Sequence, residues 1–465
     1  MNIHMKKGLP YATAAACAVA LLGSAHASTE LDGTVRTSSP STPTARTAPG
    51  SFARVVPHVP EGIGFETPSV SPASIGGEIH ERLAGKTVGY AFVIAEDGQL
   101  AGQGQGGHAR VPMVDGGGLP FTAHTDVNVF SVSKTLTAVA ALQLMDKLGV
   151  QPDDPIADWL PPSWVPGLGF GAAGMTFFDL LTHRTGINQT IGKLADESDA
   201  FAALSPNTYA GVQAIVEHGI YPEFADVGGP GYGSYSYKNA NYKLAAILIW
   251  RMALANGDIS SNGELGADAD SAAGYAHYVR KHVLQAAGVD GFCHPSGPAA
   301  THALAYDADQ NRFPLMMTRG SGMGSFNGLY TCGPKNWWLS AMDLAAVAAH
   351  LQHGTLLSDE RRAQMDDLEM GWSQASDSAS RPNRYWHGGL GKWTRSNKLR
   401  LLSPQHPLNP TPGWLPSQVT TKARIRSCLM KLPGGLEATL LINSDVRGSS
   451  LSACGVLHQA FENAS

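Results

Sequence analysis

The sequence predicts a mixed α/β chain: an antiparallel sheet flanked by helices, with an all-helical subdomain inserted between its early and late strands. Three observations point there. Strand signals cluster early, in "TVGYAFVIAEDGQLAGQGQG", and again late, in "YWHGGL", "KARIRSCLMKL" and "LEATLLINS". The stretch from about Asp154 to Tyr330 carries helical and loop signals instead. Helical segments also open and close the folded region.

The N-terminus reads as an export signal over residues 1–27. "MNIHMKKG" is a basic leader and "LPYATAAACAVALLG" an apolar run too short to span a bilayer well. "SAHA" then offers Ala25 and Ala27 in the small-x-small pattern, so cleavage is expected after Ala27. Apolar "AVALL" follows Cys17 and no good lipobox precedes it, which argues against lipoprotein processing. Residues 28–73 form a Ser/Thr/Pro-rich leader or linker, including "TSSPSTPTARTAPGSF", that buries too little to offset its ordering entropy. The folded domain is expected over 74–465, with the helical subdomain at roughly 150–330.

Within that domain "IGGEIHERLAG" reads as a helix ending at Gly85, and Asp97-Gly98 as the turn of a hairpin. "VNVFSVSKTLTAVAAL" leads into a helix beginning near Ser131. It is apolar on nearly every side, through Val132, Leu136, Val139, Leu142, Leu144 and Met145. Such a helix is normally central to its domain. Gly149 and Pro152 stop it. "MTFFDLLTHRTGI", "NANYKLAAILIWRMALANG", "WWLSAMDLAAVAAHLQHG" and "SLSACGVLHQAFENA" read as further helices.

The chain has 465 residues, a net charge of −5 and 43% hydrophobic residues. That suits one large globular domain or two intimately joined ones, and the absence of a basic stripe argues against nucleic acid as a partner. Removal of Cys17 leaves Cys293, Cys332, Cys428 and Cys454, an even set compatible with disulfides in an exported protein. Three pairings are open, and sequence proximity favours Cys293–Cys332 with Cys428–Cys454. No C-x-x-C occurs, and the 17 histidines show no spacing that specifies a metal site, so neither metal nor cofactor is expected. "GQGQGG" satisfies G-x-G-x-x-G from Gly102 to Gly107, but no helix follows it, which argues against a dinucleotide site. G-x-S-x-G, H-E-x-x-H and Walker A sequences are absent.

The chemistry is concentrated in Ser131-x-x-Lys134. Residues three apart on a helix share a face, so the amine can sit beside the hydroxyl. Serine is a poor nucleophile until a neighbouring base removes its proton. A helix N-terminus also aims free N–H groups at developing negative charge. The pattern is common by chance, and alone it reads more readily as an ordinary helix start with a solvated lysine. Two further motifs follow in order: Tyr237-x-Asn239 in "YSYKNANYKLAAILIW", and His387-Gly388-Gly389 in "RYWHGGLGKW" on a probable strand. Each has a structural reading too. Tyr237 stands among Tyr232, Tyr235 and Tyr242, although it alone has asparagine two residues on. His387 suits a strand interior, and Asn239 suits a helix cap.

Together and in this order the motifs resemble the serine β-lactamase and penicillin-binding-protein superfamily, in particular its class C β-lactamase-like branch of esterases, D-aminopeptidases and D,D-peptidases. The resemblance runs from about Ser74 to Ala460 and includes "TFFDLLTHRTGI", "PGYGSYSYKNANYKLAAIL" and "WWLSAMDLAAVAAHL". It implies a class C β-lactamase-like fold and a division of roles. Ser131 would attack the carbonyl and become acylated, and Lys134 would hold and relay its proton. Tyr237 would act with Lys134 as general base and then protonate the leaving group. Asn239 would bond Lys134 and the substrate's amide. The N–H groups of Ser131 and Leu390 would form the oxyanion hole, while Gly388 and Gly389 let the strand approach the substrate.

One departure bears on specificity. The family usually carries Lys-Thr-Gly or a close variant at the third motif, where this chain has His387-Gly388-Gly389. Lysine is a fixed charge for a substrate carboxylate, whereas histidine is only partly charged near neutrality. The expectation is therefore an exported serine hydrolase, periplasmic or secreted, without a cofactor. It would cleave an ester or amide of a small-molecule or peptide substrate, peptidoglycan-derived substrates included, with no membrane span after signal cleavage. An active β-lactamase or D,D-carboxypeptidase is the nearest alternative, and a non-catalytic peptidoglycan- or acyl-ligand-binding protein of the same fold the other.

Overall fold

In the computed structural model, helix α1 (Pro72–Leu83) carries proline in its first turn, where the missing N–H removes no helical bond. The structure describes residues 70–112, 115, 118–197, 204–220, 233–261, 263, 266–293, 301–308, 331–373, 384–397 and 419–465. The expected export signal and all but the end of the expected leader lie outside them. Strands β1 (Gly89–Glu96) and β2 (Gln99–Arg110) pair antiparallel. Their turn has positive φ at both Asp97 (49°) and Gly98 (72°), as a tight two-residue hairpin requires.

The glycines of "GQGQGG" serve this hairpin. A Cβ at Gly104 would lie 2.3 Å from the ring of Phe92, and one at Gly106 would lie 2.6 Å from that of Tyr90. The aromatic rings of β1 thus lie across glycines of β2, a packing reason for the run that needs no ligand.

Strands β3 (Leu119–Pro120) and β4 (Val127–Asn128) precede a 3-10 turn, Phe130–Val132, and helix α2 (Ser133–Leu148). The α-helix proper therefore starts two residues after Ser131. It is buried on nearly all sides and ends at Gly149 in the left-handed conformation, φ 70°. Helices α3 (Phe177–Leu181), α4 (Ile187–Glu197), α5 (Tyr209–His218), α6 (Asn239–Ala255) and α7 (Ala267–Tyr278) follow, with α6 packed against both α2 and α7.

Next come β5 (Phe292–Cys293), β6 (Trp337–Leu339), α8 (Ala341–His353) and α9 (Asp359–Asp367). Reading "WWLSAMDLAAVAAHLQHG" as helix throughout is corrected at its start. Ser340 and Asp343 form a capping box that begins α8, and the bulky residues before it pair as a strand. Strands β4, β6 and β5 make a small sheet that braces the chain just before Ser131.

Strands β7 (Tyr385–Asn397), β8 (Val419–Leu432) and β9 (Leu436–Ile442) and helix α10 (Ala453–Ala464) complete the chain. The main sheet has six strands in the order β3-β2-β1-β9-β8-β7, all neighbours antiparallel. Ile75, Ile79 and Leu83 of α1 join Leu457 and Phe461 of α10 over one face, against Tyr90, Phe92, Ile94 and Leu440. Ala91, Val93, Leu429 and Leu441 point into the larger core with Leu136 of α2 and Leu344 of α8. Covering both faces explains why β9 is buried along its whole length. Cys293 and Cys332 lie at disulfide distance, Cα–Cα 6.0 Å, as do Cys428 and Cys454 at 5.2 Å.

Candidate active site

Ser131 sits in the 3-10 turn between β4 and α2, and the turn is held from several directions. Phe130 adopts φ 46°, which strains a non-glycine residue by about 1–3 kcal/mol. Its N–H donates to Asn128 Oδ1 at 2.8 Å. Val129 N–H donates to the Trp337 carbonyl at 2.9 Å, and Ser427 Oγ donates to the Val129 carbonyl at 2.7 Å. Trp337 N–H reaches Ser133 Oγ at 3.2 Å. Both sheets therefore grip the turn that presents the serine.

Lys134 follows one helical turn later and is fully buried. Its Nζ lies 3.2 Å from Ser131 Oγ, 2.8 Å from Asn239 Oδ1 and 2.8 Å from the Pro334 carbonyl. Asn239 is the first residue of α6. The N-cap position belongs to Lys238 and has no side-chain cap, so Asn239 turns its carbonyl to Lys134 instead of capping the helix. From the other side the Tyr237 hydroxyl donates to Ser131 Oγ at 2.6 Å, and Lys134 Nζ lies 4.7 Å from the Tyr237 ring centre. Tyr237 is 39% exposed, so the site opens to solvent along this ring.

His387 is buried on β7, with its ring centre 6.5 Å from that of Tyr237. Its Nδ1 donates to the Gly388 carbonyl at 3.1 Å. The two glycines serve packing within the protein. A Cβ at Gly389 would meet the Val129 carbonyl and Ser427 Oγ at 2.3 Å, so β7 can lie against the Ser131 turn only with glycine there. A Cβ at Gly388 would face Cys454 Sγ at 3.2 Å on the opposite side. The substrate-approach role expected of these glycines is thus preceded by a structural one. Leu390, next along, is 42% exposed.

Burial dominates the electrostatics. It pushes the Lys134 ammonium well below its ordinary value, helped by the charge of Lys335. It pushes the Tyr237 phenol up to about 12, against the bond to Ser131 and with Tyr235 adding to the rise. For His387 burial and then the Lys134 charge push the imidazole down to about 3, opposed by the bond to Gly388. The expectation of a histidine partly charged near neutrality is corrected accordingly: at pH 7 this imidazole is neutral. Among the described residues no group of three or more His, Cys, Asp or Glu is placed to hold a metal ion, and no helix is long and apolar enough to cross a membrane.

A family model described as Beta-lactamase matches residues 77–394. That span is more than half of the chain and includes Ser131, Lys134, Tyr237, Asn239 and the His387–Leu390 strand segment. The chain belongs to the β-lactamase family.

Solved structures share this β-lactamase-family fold. FmtA from Staphylococcus aureus matches at TM-score 0.54 and 14% identity, over 88% of this chain and 93% of that one. A penicillin-binding protein from Bacillus halodurans matches at 0.50 and 16%, over 84% and 99%. SurE matches at 0.52 and 19%, over 84% and 75%. At such identities the likeness concerns fold alone. No curated protein matches the chain in sequence.

The β-lactamase-family motifs point to the candidate side chains but pass over their supports. The Pro334 carbonyl and Ser427 hydroxyl, which bond Lys134 and the Ser131 turn, carry no pattern in sequence. His183 is likewise a single histidine in "THRTGI". Its ring centre lies 4.6 Å from that of Tyr237, and burial holds its imidazole well below the ordinary value.

Proposed function

We propose that this member of the β-lactamase family is an exported serine hydrolase that cleaves an ester or amide through an acyl-Ser131 intermediate. The observation that carries the reading is the placement of one serine oxygen between a buried amine at 3.2 Å and a phenol at 2.6 Å. A neutral Lys134 has two N–H groups for Asn239 Oδ1 and the Pro334 carbonyl, and its lone pair then faces the Ser131 hydroxyl.

In this reading Lys134 takes the Ser131 proton as the oxygen attacks the substrate carbonyl, a base contribution of about 10²–10⁴-fold. Tyr237, neutral because of its raised pKa, gives its proton to the leaving group and takes a replacement from Lys134. The N–H groups of Ser131 and Leu390 receive the oxyanion, at about 3–4 kcal/mol per donor. Water then attacks the acyl-enzyme by the reverse proton path. Asn239 holds Lys134 and meets the substrate amide. A neutral His387 favours a substrate with no carboxylate at that place, such as a D-amino-acid amide or an uncharged ester.

Intact-mass spectrometry after exposure to activated esters, β-lactams and D-amino-acid amides tests the proposal. Transient acylation of Ser131 by esters or amides supports it. A lasting adduct with no turnover favours a binding protein of the same fold, and rapid β-lactam turnover favours a β-lactamase. No adduct on Ser131 from any class rejects the hydrolase.

A further inference from the structure

Tyr237 belongs to a segment without helix or strand, residues 233–238, yet its hydroxyl is held against Ser131. The segment docks on the turn after α3. Ser236 N–H donates to the His183 carbonyl at 2.9 Å, and Gly233 N–H donates to the Arg184 carbonyl at 3.0 Å. Asn188 Nδ2 donates to Ser236 Oγ at 2.6 Å. The side chain of His183 completes the dock. Its Nδ1 accepts from Lys238 N–H at 3.4 Å and from Asn241 Nδ2 at 3.0 Å.

The tautomer follows from the partners. Thr185 Oγ1 donates to Asn241 Oδ1 at 2.7 Å, so the amide oxygen is occupied and its NH₂ must face His183. A backbone N–H and an amide NH₂ both donate, so Nδ1 carries no proton and Nε2 carries one. Nε2 is buried and has no hydrogen-bond partner among the described residues. Its ring is packed instead among Tyr237 at 4.6 Å, Tyr242 at 5.1 Å and Tyr235 at 5.9 Å between centres. With no acceptor for Nε2–H among the described residues, the imidazole serves as no proton shuttle there. It is a fixed acceptor, presented from a backbone at φ 61°, a region where histidine and asparagine are enriched.

We propose that His183 is a positioning residue for Tyr237: held as a single tautomer, its Nδ1 accepts the Lys238 N–H and fixes the tyrosine so that its hydroxyl meets Ser131. The catalytic part of this rests on the hydrolase reading above, while the structural part does not. Burial holds the ring neutral, which keeps Nδ1 available.

The test compares two amides at one position in the full chain. His183→Asn places its carbonyl near the Nδ1 site, whereas His183→Gln moves it toward the Nε2 site. With p-nitrophenyl acetate as substrate, kcat of His183→Gln is expected to fall about 10–100-fold at nearly unchanged KM, and His183→Asn to recover about tenfold of it. Thermal unfolding of both variants is measured alongside, so that kcat is read per folded molecule. Imidazole ¹⁵N spectra of the wild type should show Nε2 protonated and Nδ1 bare, and a ¹³C-labelled Tyr237 ring should shift in the Gln variant only. A protonated Nδ1, an unmoved Tyr237 resonance, or a Gln variant with wild-type kcat overturns the proposal. The two spectra need no turnover, so they judge the positioning role even if Ser131 is never acylated, an outcome that removes the hydrolase reading alone.

Discussion

The hydroxyl of Tyr237 lies 2.6 Å from the Oγ of Ser131, across 106 residues of sequence. Lys134 Nζ stands at 3.2 Å from the same oxygen. The two groups are pushed apart in acidity by the same burial: the phenol upward to about 12, the ammonium downward. Pairs of titratable groups separated in this way divide into an acid and a base.

Ser131→Ala should abolish acylation while leaving the fold intact. The loss expected for a serine nucleophile is roughly 10⁶-fold in kcat. Mass spectrometry after treatment with an activated ester checks it, and an ester-derived adduct retained on the alanine variant would sink the assignment of the nucleophile.

Lys134→Met should cost about 10²–10⁴-fold in kcat. Its effect on Tm should be small, because losing two hydrogen bonds is offset by no longer burying an amine. The depressed pKa also sets a sign. The unfolded chain, with a lysine pKa of about 10.4, binds more protons than the folded one between the two values. Stability from this site therefore grows as pH rises through that window, and turnover of an uncharged ester should rise with pH and then flatten. A wild-type rate that falls with pH across the neutral range would contradict the base assignment.

His387→Lys should shift kcat/KM toward carboxylate-bearing substrates relative to uncharged esters. In the wild type that ratio should show no titration of His387 between about pH 5.5 and 8.5, since its folded pKa is about 3. The unfolded imidazole, at about 6.5, binds more protons between these values, so this site's stability is lost as pH falls from about 6.5 toward 3. Parallel kinetics on both substrate classes decide the matter. Efficient wild-type β-lactam turnover would reverse the specificity argument.

Replacing Cys428 and Cys454 together by serine should lower stability by about 3 kcal/mol in the chain-entropy model, for a loop of 26 residues tying β8 to α10. Chemical denaturation of the double variant measures it, and an unchanged midpoint counts against the cross-link.

Glu437→Gln should leave stability unchanged or raise it at pH 7. Glu437 Oε1 pairs with His353 Nε2 at 2.7 Å, but Oε2 is buried with no partner among the described residues. Burial raises this carboxyl's pKa, so its charge is costly to keep there, and glutamine keeps an acceptor for His353. A marked drop in Tm would mean the charge itself holds α8 to β9.

What was legible in the sequence was mostly local. Asp97-Gly98 named its hairpin and Gly149 its helix end because each meets a backbone demand that few residues satisfy. Ser131 and Lys134 stood out because their spacing has a chemical reason, Tyr237 and Asn239 because the motifs in order resemble a family's, and the structure brings all four together. His387 was found, but its charge state was misjudged, because burial by distant segments leaves no trace near residue 387. Trp337–Leu339 was read as helix because the capping box at Ser340 lay just inside the apolar run. His183 and Ser427 were missed for a related reason: a lone side chain acquires its role only from partners that the fold delivers.

The strand next to β1 on its inner side is β9, with Tyr90 opposite Ile442. The first two strands are therefore made long before the strand that joins them to the rest of the sheet. Until β9 arrives, the β1–β2 hairpin and the β7–β8 pair each present an unpaired edge, the kind that joins other chains into aggregates. High contact order of this sort slows folding, since loop closure comes before the contacts that compensate it. Helix α2 can form early, but the setting of Ser131 at its start waits for the distant strands β7 to β9.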